Sequence, residues 1–183
     1  NMNPELQTFG IWRVQETLKP DRCYLATFRD VRGVVKVGRG IENEAYVLKQ
    51  LEHPNIVKLL DYDLEAETPY IVTEYHEAET YPPMIIGEGT VPDLAHWLLG
   101  VGEALAYCIG KGFSINDFDL LYTDEKIIVI DFEATSRFTS LGGFNSSLEA
   151  VKEKVNWMFQ QRVEDPLRQH RFHKCTPESK PCS

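Results

Sequence analysis

The hydrophobic pattern begins with two strand-like runs, residues 9–18 and 23–29, on either side of Lys19-Pro20-Asp21-Arg22. That tetrapeptide is a turn-forming cluster, so the runs read as an antiparallel pair. A third strand is expected at 33–38 after the turn Asp30-Val31-Arg32-Gly33. The period then changes. Ile41, Ala45, Leu48 and Leu51 recur at three and four residues, which predicts a helix with one apolar face, ended by Pro54. Residues 57–64 and 70–74 return to strand-like character. Residues 76–92 have an acidic first half and a second half broken by proline and glycine, and they read as a linker. From 93 to 111 the pattern is helical, with Leu94, Trp97, Leu98, Val101, Leu105 and Cys108 on the apolar face. Two short strands, 120–123 and 126–131, flank the turn Thr123-Asp124-Glu125-Lys126, and 136–145 reads as a loop. Ser146-Ser147-Leu148-Glu149 has the form of a capping box. It opens a helix carrying Leu148, Val151, Val155 and Met158, which ends before Pro166. Strands and one helix first, then helices around a hairpin, is an α+β order.

Composition narrows the function classes. A chain of 183 residues with 43% hydrophobic and 26% charged residues has the make-up of one globular domain. The formal net charge of −9 argues against a nucleic-acid backbone or an anionic membrane as the main partner, because both call for a basic surface. Positive charge collects near the end, in Arg162, Arg168, Arg171, Lys174 and Lys180. No apolar run is long enough to span a bilayer. Asn1-Met2-Asn3-Pro4-Glu5 has no basic-then-apolar signal pattern, so a cytoplasmic protein is expected. Cys23 and Cys108 fall in a strand and a helix, as small hydrophobes. Cys175 and Cys182 share a polar tail with His170 and His173. Those four could ligate zinc, but their spacing fits no common finger, and a solvated tail is the plainer reading.

Four segments carry a resemblance. They are Val34-Val35-Lys36-Val37; Asn43-Glu44 heading a helix that runs into His53-Pro54-Asn55-Ile56-Val57; Tyr70-Ile71-Val72-Thr73-Glu74-Tyr75; and Ile127-Ile128-Val129-Ile130-Asp131-Phe132-Glu133. In that order they resemble the protein-kinase fold: the lysine strand, the glutamate helix and its following loop, the hinge strand, and the metal-binding Asp-Phe-Gly. The resemblance implies a kinase-like small lobe with an antiparallel sheet and one helix at 1–75. A hinge and linker would follow at 76–92 and a reduced, truncated helical lobe at 93–165. Residues 166–183 are expected to be a disordered tail.

The same resemblance implies roles for individual residues. Lys36 would hold the nucleotide's α- and β-phosphates and pair with Glu44. The backbone of Glu74 and His76 would hydrogen-bond adenine, and Thr73 would set the depth of its pocket. Asp119 and Asp131 would be the magnesium ligands. A lysine on a half-solvated strand and a carboxylate ending a strand are the plain alternatives for Lys36 and Asp131.

Three positions depart from the pattern. The phosphate-covering loop lacks glycine: it reads Glu16-Thr17-Leu18-Lys19-Pro20-Asp21-Arg22-Cys23, where only Lys19 or Arg22 could meet a phosphate by charge. No His-Arg-Asp precedes Leu120. Counting back from that strand puts Ser114 at the general-base position, and a short deletion would put Asp117 there instead. Glu133 stands where the pattern has glycine. No Ala-Pro-Glu follows, so a substrate-docking segment is not recognisable. These departures point to a pseudokinase that works as a regulatory or protein-interaction module, with no cofactor expected and one or more protein partners. Trp157 and Phe159 are candidate contacts for such a partner, or else core residues of the last helix. The rival reading is a low-activity Ser/Thr phosphotransferase using ATP and magnesium.

Overall fold

The computed structural model describes residues 7–78 and 90–137, with 145, 148–153 and 156; of 90–94 it describes the backbone alone. Six antiparallel strands form one sheet: β1 (Thr8–Phe9), β2 (Trp12–Lys19), β3 (Cys23–Phe28), β4 (Val31–Val37), β5 (Leu59–Asp63) and β6 (Tyr70–Glu74). Their order is β1-β2-β3-β4-β6-β5. Helix α1 (Ile41–Leu48) lies between β4 and β5 in sequence. The second part comprises helix α2 (Thr90–Gly110), two-residue strand β7 (Phe113–Ser114), hairpin β8 (Asp119–Tyr122)–β9 (Ile127–Ile130), and β10 (Ser136–Arg137), which pairs with β7. This is an α+β protein with the small antiparallel-sheet lobe of a kinase-like fold.

Strand alternation sorts side chains to the two faces of the sheet. Phe9, Trp12, Tyr24, Ala26, Val35, Val37, Tyr70 and Val72 form the core of one face. Cys23, Lys36 and Ile71 lie in register across β3, β4 and β6 on the other. There Ile71 packs with Ile41 and Ala45 of α1. The largest core unites the end of α1, residues 51–57, α2 and the β8–β9 hairpin.

A backbone ladder joins the two parts. Val57 N–H donates to Val129 O at 3.0 Å, and Val129 N–H donates to Asn55 O at 2.8 Å. Asn55, 8% exposed, sends its side-chain Nδ2–H to Ile127 O at 2.8 Å. His53 braces the loop, because its Nδ1 accepts the Asn55 N–H at 3.1 Å.

Several boundaries differ from those the sequence suggests, each for a tertiary reason. The first strand is two: the chain reverses at Gly10-Ile11, with Gly10 at φ +55°, where a Cβ would lie 2.3 Å from the Tyr70 hydroxyl. β5 starts at Leu59 rather than at residue 57, because Val57 is bonded to β9. α1 closes at Leu48, and the turn behind it tightens through Gln50 N–H to Val47 O and Leu51 N–H to Leu48 O. α2 begins at Thr90, inside the expected linker, with Pro92 in its first turn, where proline costs no hydrogen bond. Ser136 and Arg137, expected in a loop, are strand residues paired with Ser114 and Phe113. Asn145 is already helical, one residue before the expected cap. In the last helix Ala150 and Val151 pack on the core, while Leu148, expected on the apolar face, is 40% exposed. Val155, Trp157, Met158, Phe159, the 166–183 tail and its His170, His173, Cys175 and Cys182 lie outside the described residues.

Candidate functional site

The site forms where the Lys36 face of the sheet meets α1 and the segment after β9. Lys36 points away from the Val35–Val37 core toward α1. Glu44 lies one turn into that helix, facing inward. Lys36 Nζ donates to Glu44 Oε1 at 2.8 Å and also to Asp131 Oδ1. Glu44 is 1% exposed. Its Oε1 also lies 3.4 Å from the Phe132 N–H, at the long end of hydrogen bonding. Phe132 anchors this turn by burying its ring completely in the main core. Asp131 itself takes φ +63°, which turns its carboxylate back toward Lys36.

One ammonium therefore serves two carboxylates. Burial works against the Lys36 charge, but Glu44 and Asp131 outweigh it and hold its pKa above the ordinary lysine value. Burial pushes the Glu44 carboxyl up; Lys36 offsets only part of this, and Asp131 adds to the rise. The cluster fixes α1 against the sheet and places a cation and an exposed carboxylate side by side in the cleft. That pairing suits a phosphate and a hard metal ion. Among the described residues, however, no three His, Cys, Asp or Glu side chains gather to hold a metal.

The rim of the cleft comes from three segments. The β2–β3 turn is tight: Cys23 pairs with Lys19, Arg22 N–H donates to Lys19 O at 3.1 Å, and Val37 N–H donates to Arg22 O at 3.0 Å. The Arg22 guanidinium donates to Val37 O at 3.0 Å and to the Glu133 carboxylate. Glu133 lies against Gly40, the N-cap of α1 at φ +91°, where a Cβ would come 3.0 Å from Glu133 Cβ and from Oε2. Asn43 holds the same stretch through Nδ2, donating to Glu133 O at 2.9 Å and Thr135 O at 2.8 Å.

The remaining residues singled out from sequence are spread around this cluster. Thr73 is buried in β6, and Glu74 ends that strand. The Glu74 N–H donates to Lys58 O at 2.9 Å, and its Oε1 accepts the Lys58 N–H at 3.0 Å. His76 Nε2 lies 3.0 Å from Glu74 Oε1 without hydrogen-bond geometry. Asp117 is exposed in the 115–118 loop, and Asp119 is exposed at the start of β8. Ser114, the general-base position on one count, is 1% exposed in β7, and its hydroxyl donates to Asn116 Oδ1 at 3.3 Å.

Sequence reasoning assigned no role to Asn43 or Asn55 and passed over Arg137. Arg137 donates to Lys111 O at 3.0 Å and stacks 4.4 Å from the Phe113 ring centroid. Both asparagines stand in segments that carry the resemblance, but nothing in the sequence gave either a bonding partner. Arg137 gave no signal.

No protein-family model matches the chain. Individual kinases do. The chain is 30% identical over 159 residues to wall-associated receptor kinase-like 16 of Arabidopsis thaliana, a match covering 82% of the chain and 35% of that protein. It is 30% identical over 122 residues to calcium/calmodulin-dependent protein kinase type 1 of Macrobrachium nipponense, covering 62% and 35%. It is 28% identical over 141 residues to the serine/threonine-protein kinase BIK1 of Arabidopsis thaliana, covering 73% and 36%. The chain thus spans about a third of the length of these relatives. Among the described residues, no helix is long and apolar enough to cross a membrane. The ordered motifs, the sheet with α1 docked through Lys36 and Glu44, and these matches together make the chain protein-kinase-like.

Proposed function

We propose that this kinase-like chain is a pseudokinase, a regulatory module that acts through protein contacts in the cytoplasm rather than by transferring phosphate. The observation that carries the reading is the β2–β3 turn. A phosphate-covering loop works by presenting free backbone N–H groups at close range, which is why glycine is favoured there. In this turn Pro20 has no N–H, and the Arg22 N–H is spent on Lys19 O. Glu133 adds a carboxylate near where a triphosphate would sit, and no His-Arg-Asp precedes β8.

One observation favours the rival, a low-activity Ser/Thr phosphotransferase. Lys36, Glu44 and Asp131 stand together as phosphate binding would require. ATP would be held by Lys36 and magnesium by Asp131 with Asp119, and the pair would supply the phosphoryl group and charge neutralisation. Loss of a general base costs about 10²–10⁴-fold in rate, so a damaged base alone leaves residual turnover.

Thermal unfolding with millimolar ATP–magnesium separates the two. A site filled to a hundred times its dissociation constant adds about 2.7 kcal/mol. For a chain of this size that is roughly 5–11 °C. The pseudokinase reading expects no shift of that size and no incorporation of labelled phosphate above Asp131→Asn. A full shift with autophosphorylation, both abolished by Asp131→Asn, would establish the enzyme.

A further inference from the structure

The two departures from the kinase pattern that lie furthest apart in sequence meet in space. Arg22 sits in the turn that lacks glycine, and Glu133 stands where glycine is expected. They are 111 residues apart and form an ion pair. Each end is held in place. Both backbone polar groups of Arg22 are hydrogen-bonded, and its Nη1 is tied to Val37 O. The Glu133 backbone carbonyl is held by Asn43, and Thr135 N–H closes the turn onto Phe132 O at 3.1 Å. The pair lies beside the Lys36–Asp131 pair: Cys23, next to Arg22, is the cross-strand partner of Lys36, and Glu133 is two residues from Asp131.

We propose that Arg22 and Glu133 form an autoinhibitory clasp, a side-chain bridge over the cleft that keeps anionic ligands from the Lys36–Asp131 pair until it opens. The inference deepens the pseudokinase reading and rests on it for the identity of the cleft. Its chemistry is simple. Glu133 supplies the anion to Arg22 in place of a phosphate, so the one arginine in the turn is neutralised in place. Both side chains keep contact with water, at 27% and 47% exposure. An exposed pair is weak and screened by salt, which makes this contact reversible rather than a structural rivet. A phosphorylated peptide or a nucleotide must break it to enter.

Cys23 reports on the clasp without any nucleotide. It is half-buried and faces Lys36, whereas Cys108 is fully buried. Its alkylation by neutral iodoacetamide is followed at the level of the peptide in the native wild type, Glu133→Gln, Arg22→Gln and the reversed pair Arg22→Glu/Glu133→Arg. Opening should raise the Cys23 rate about two- to fivefold in both single variants, the range an exposed pair permits. The reversed pair should return toward the wild-type rate. Added salt should speed the wild type but not Glu133→Gln. Charge alone predicts something else. Burial raises the Cys23 thiol pKa and Arg22 offsets part of that rise, so losing Arg22 would slow labelling while losing Glu133 would not. Opposite changes in the two single variants, or equal rates in all four proteins, would overturn the clasp. If the single variants melt more than a few degrees lower, Glu133→Asp, which keeps the charge and shortens the reach, decides by the same rate. Phosphate transfer by the wild type would remove the pseudokinase reading and leave the clasp standing; unchanged Cys23 rates would do the reverse.

Discussion

Replacing Lys36 with Met removes the charge from the centre of the cluster while keeping most of the apolar stem. Glu44 is then left in a site 1% exposed without its cation. Removing one partner of a buried ion pair costs about 3–5 kcal/mol in general. Here the loss has a ceiling, because Glu44 can neutralise itself by taking a proton. Starting from an ordinary glutamate pKa of about 4.3, that proton costs about 3.7 kcal/mol at pH 7 and about 1 kcal/mol at pH 5. A carboxyl raised in the folded state holds more protons folded than unfolded, so stability falls as pH rises through that window. Lys36→Met should therefore lose about 3 kcal/mol at pH 7, or roughly 6–12 °C, and only about 2–4 °C at pH 5. Thermal and urea unfolding from pH 5 to 7 would measure it. The double variant Lys36→Met/Glu44→Gln should recover most of the loss at pH 7, because no buried charge remains. Equal losses at both pH values would show that the lysine stem, not its charge, is what matters. No loss at all would show that Lys36 and Glu44 are not paired in solution.

Three further outcomes are expected. Glu44→Gln alone should flatten the fall in wild-type stability above the ordinary glutamate value, from which burial raises this carboxyl; pH-dependent melting checks it. Asn55→Ala should cost about 1–3 kcal/mol, the penalty for orphaning the buried Ile127 carbonyl, and should speed hydrogen exchange at Val129 more than in β3. Two glycines of α2 should respond with opposite signs. A Cβ at Gly100 would sit 2.9 Å from both Asn55 Nδ2 and Ile127 Cγ2, so Gly100→Ala should destabilise by about 1–3 kcal/mol. Gly102 has open space around it, and Gly102→Ala should stabilise by up to about 1 kcal/mol through helix propensity alone.

What was legible in the sequence is what short-range chemistry controls. The 3–4 spacing of Ile41, Ala45 and Leu48 defines α1, and the single polar residue in the run Val34–Val37 marks Lys36 as needing a partner. Glu44 is only eight residues away, so strand and helix bring the two together almost locally. The turn at Lys19–Arg22 and the Thr123–Lys126 turn were readable for the same reason: Thr123 Oγ accepts the Lys126 N–H at 3.0 Å and donates to Lys126 O at 2.8 Å. What was hidden depends on distant partners. Gly10 reverses the chain because Tyr70 occupies the space beside it, sixty residues on. Val57 leaves its strand for Val129. Ser136 and Arg137 become a strand only by finding β7. Arg22 looked like a phosphate contact because nothing near it in sequence shows that Glu133 will neutralise it.

The ladder between residues 55–57 and β9 has a mechanical consequence. Val129 gives its N–H to Asn55 and its carbonyl to Val57, so the loop behind α1 and the strand leading into Asp131 travel as one piece. The sheet cannot slide away from the helical part without breaking main-chain bonds buried in the core. Any motion that keeps those bonds is a tilt about this seam, as a lever tilts on its fulcrum. Asp131, two residues from Val129, sits close to the fulcrum and is displaced least.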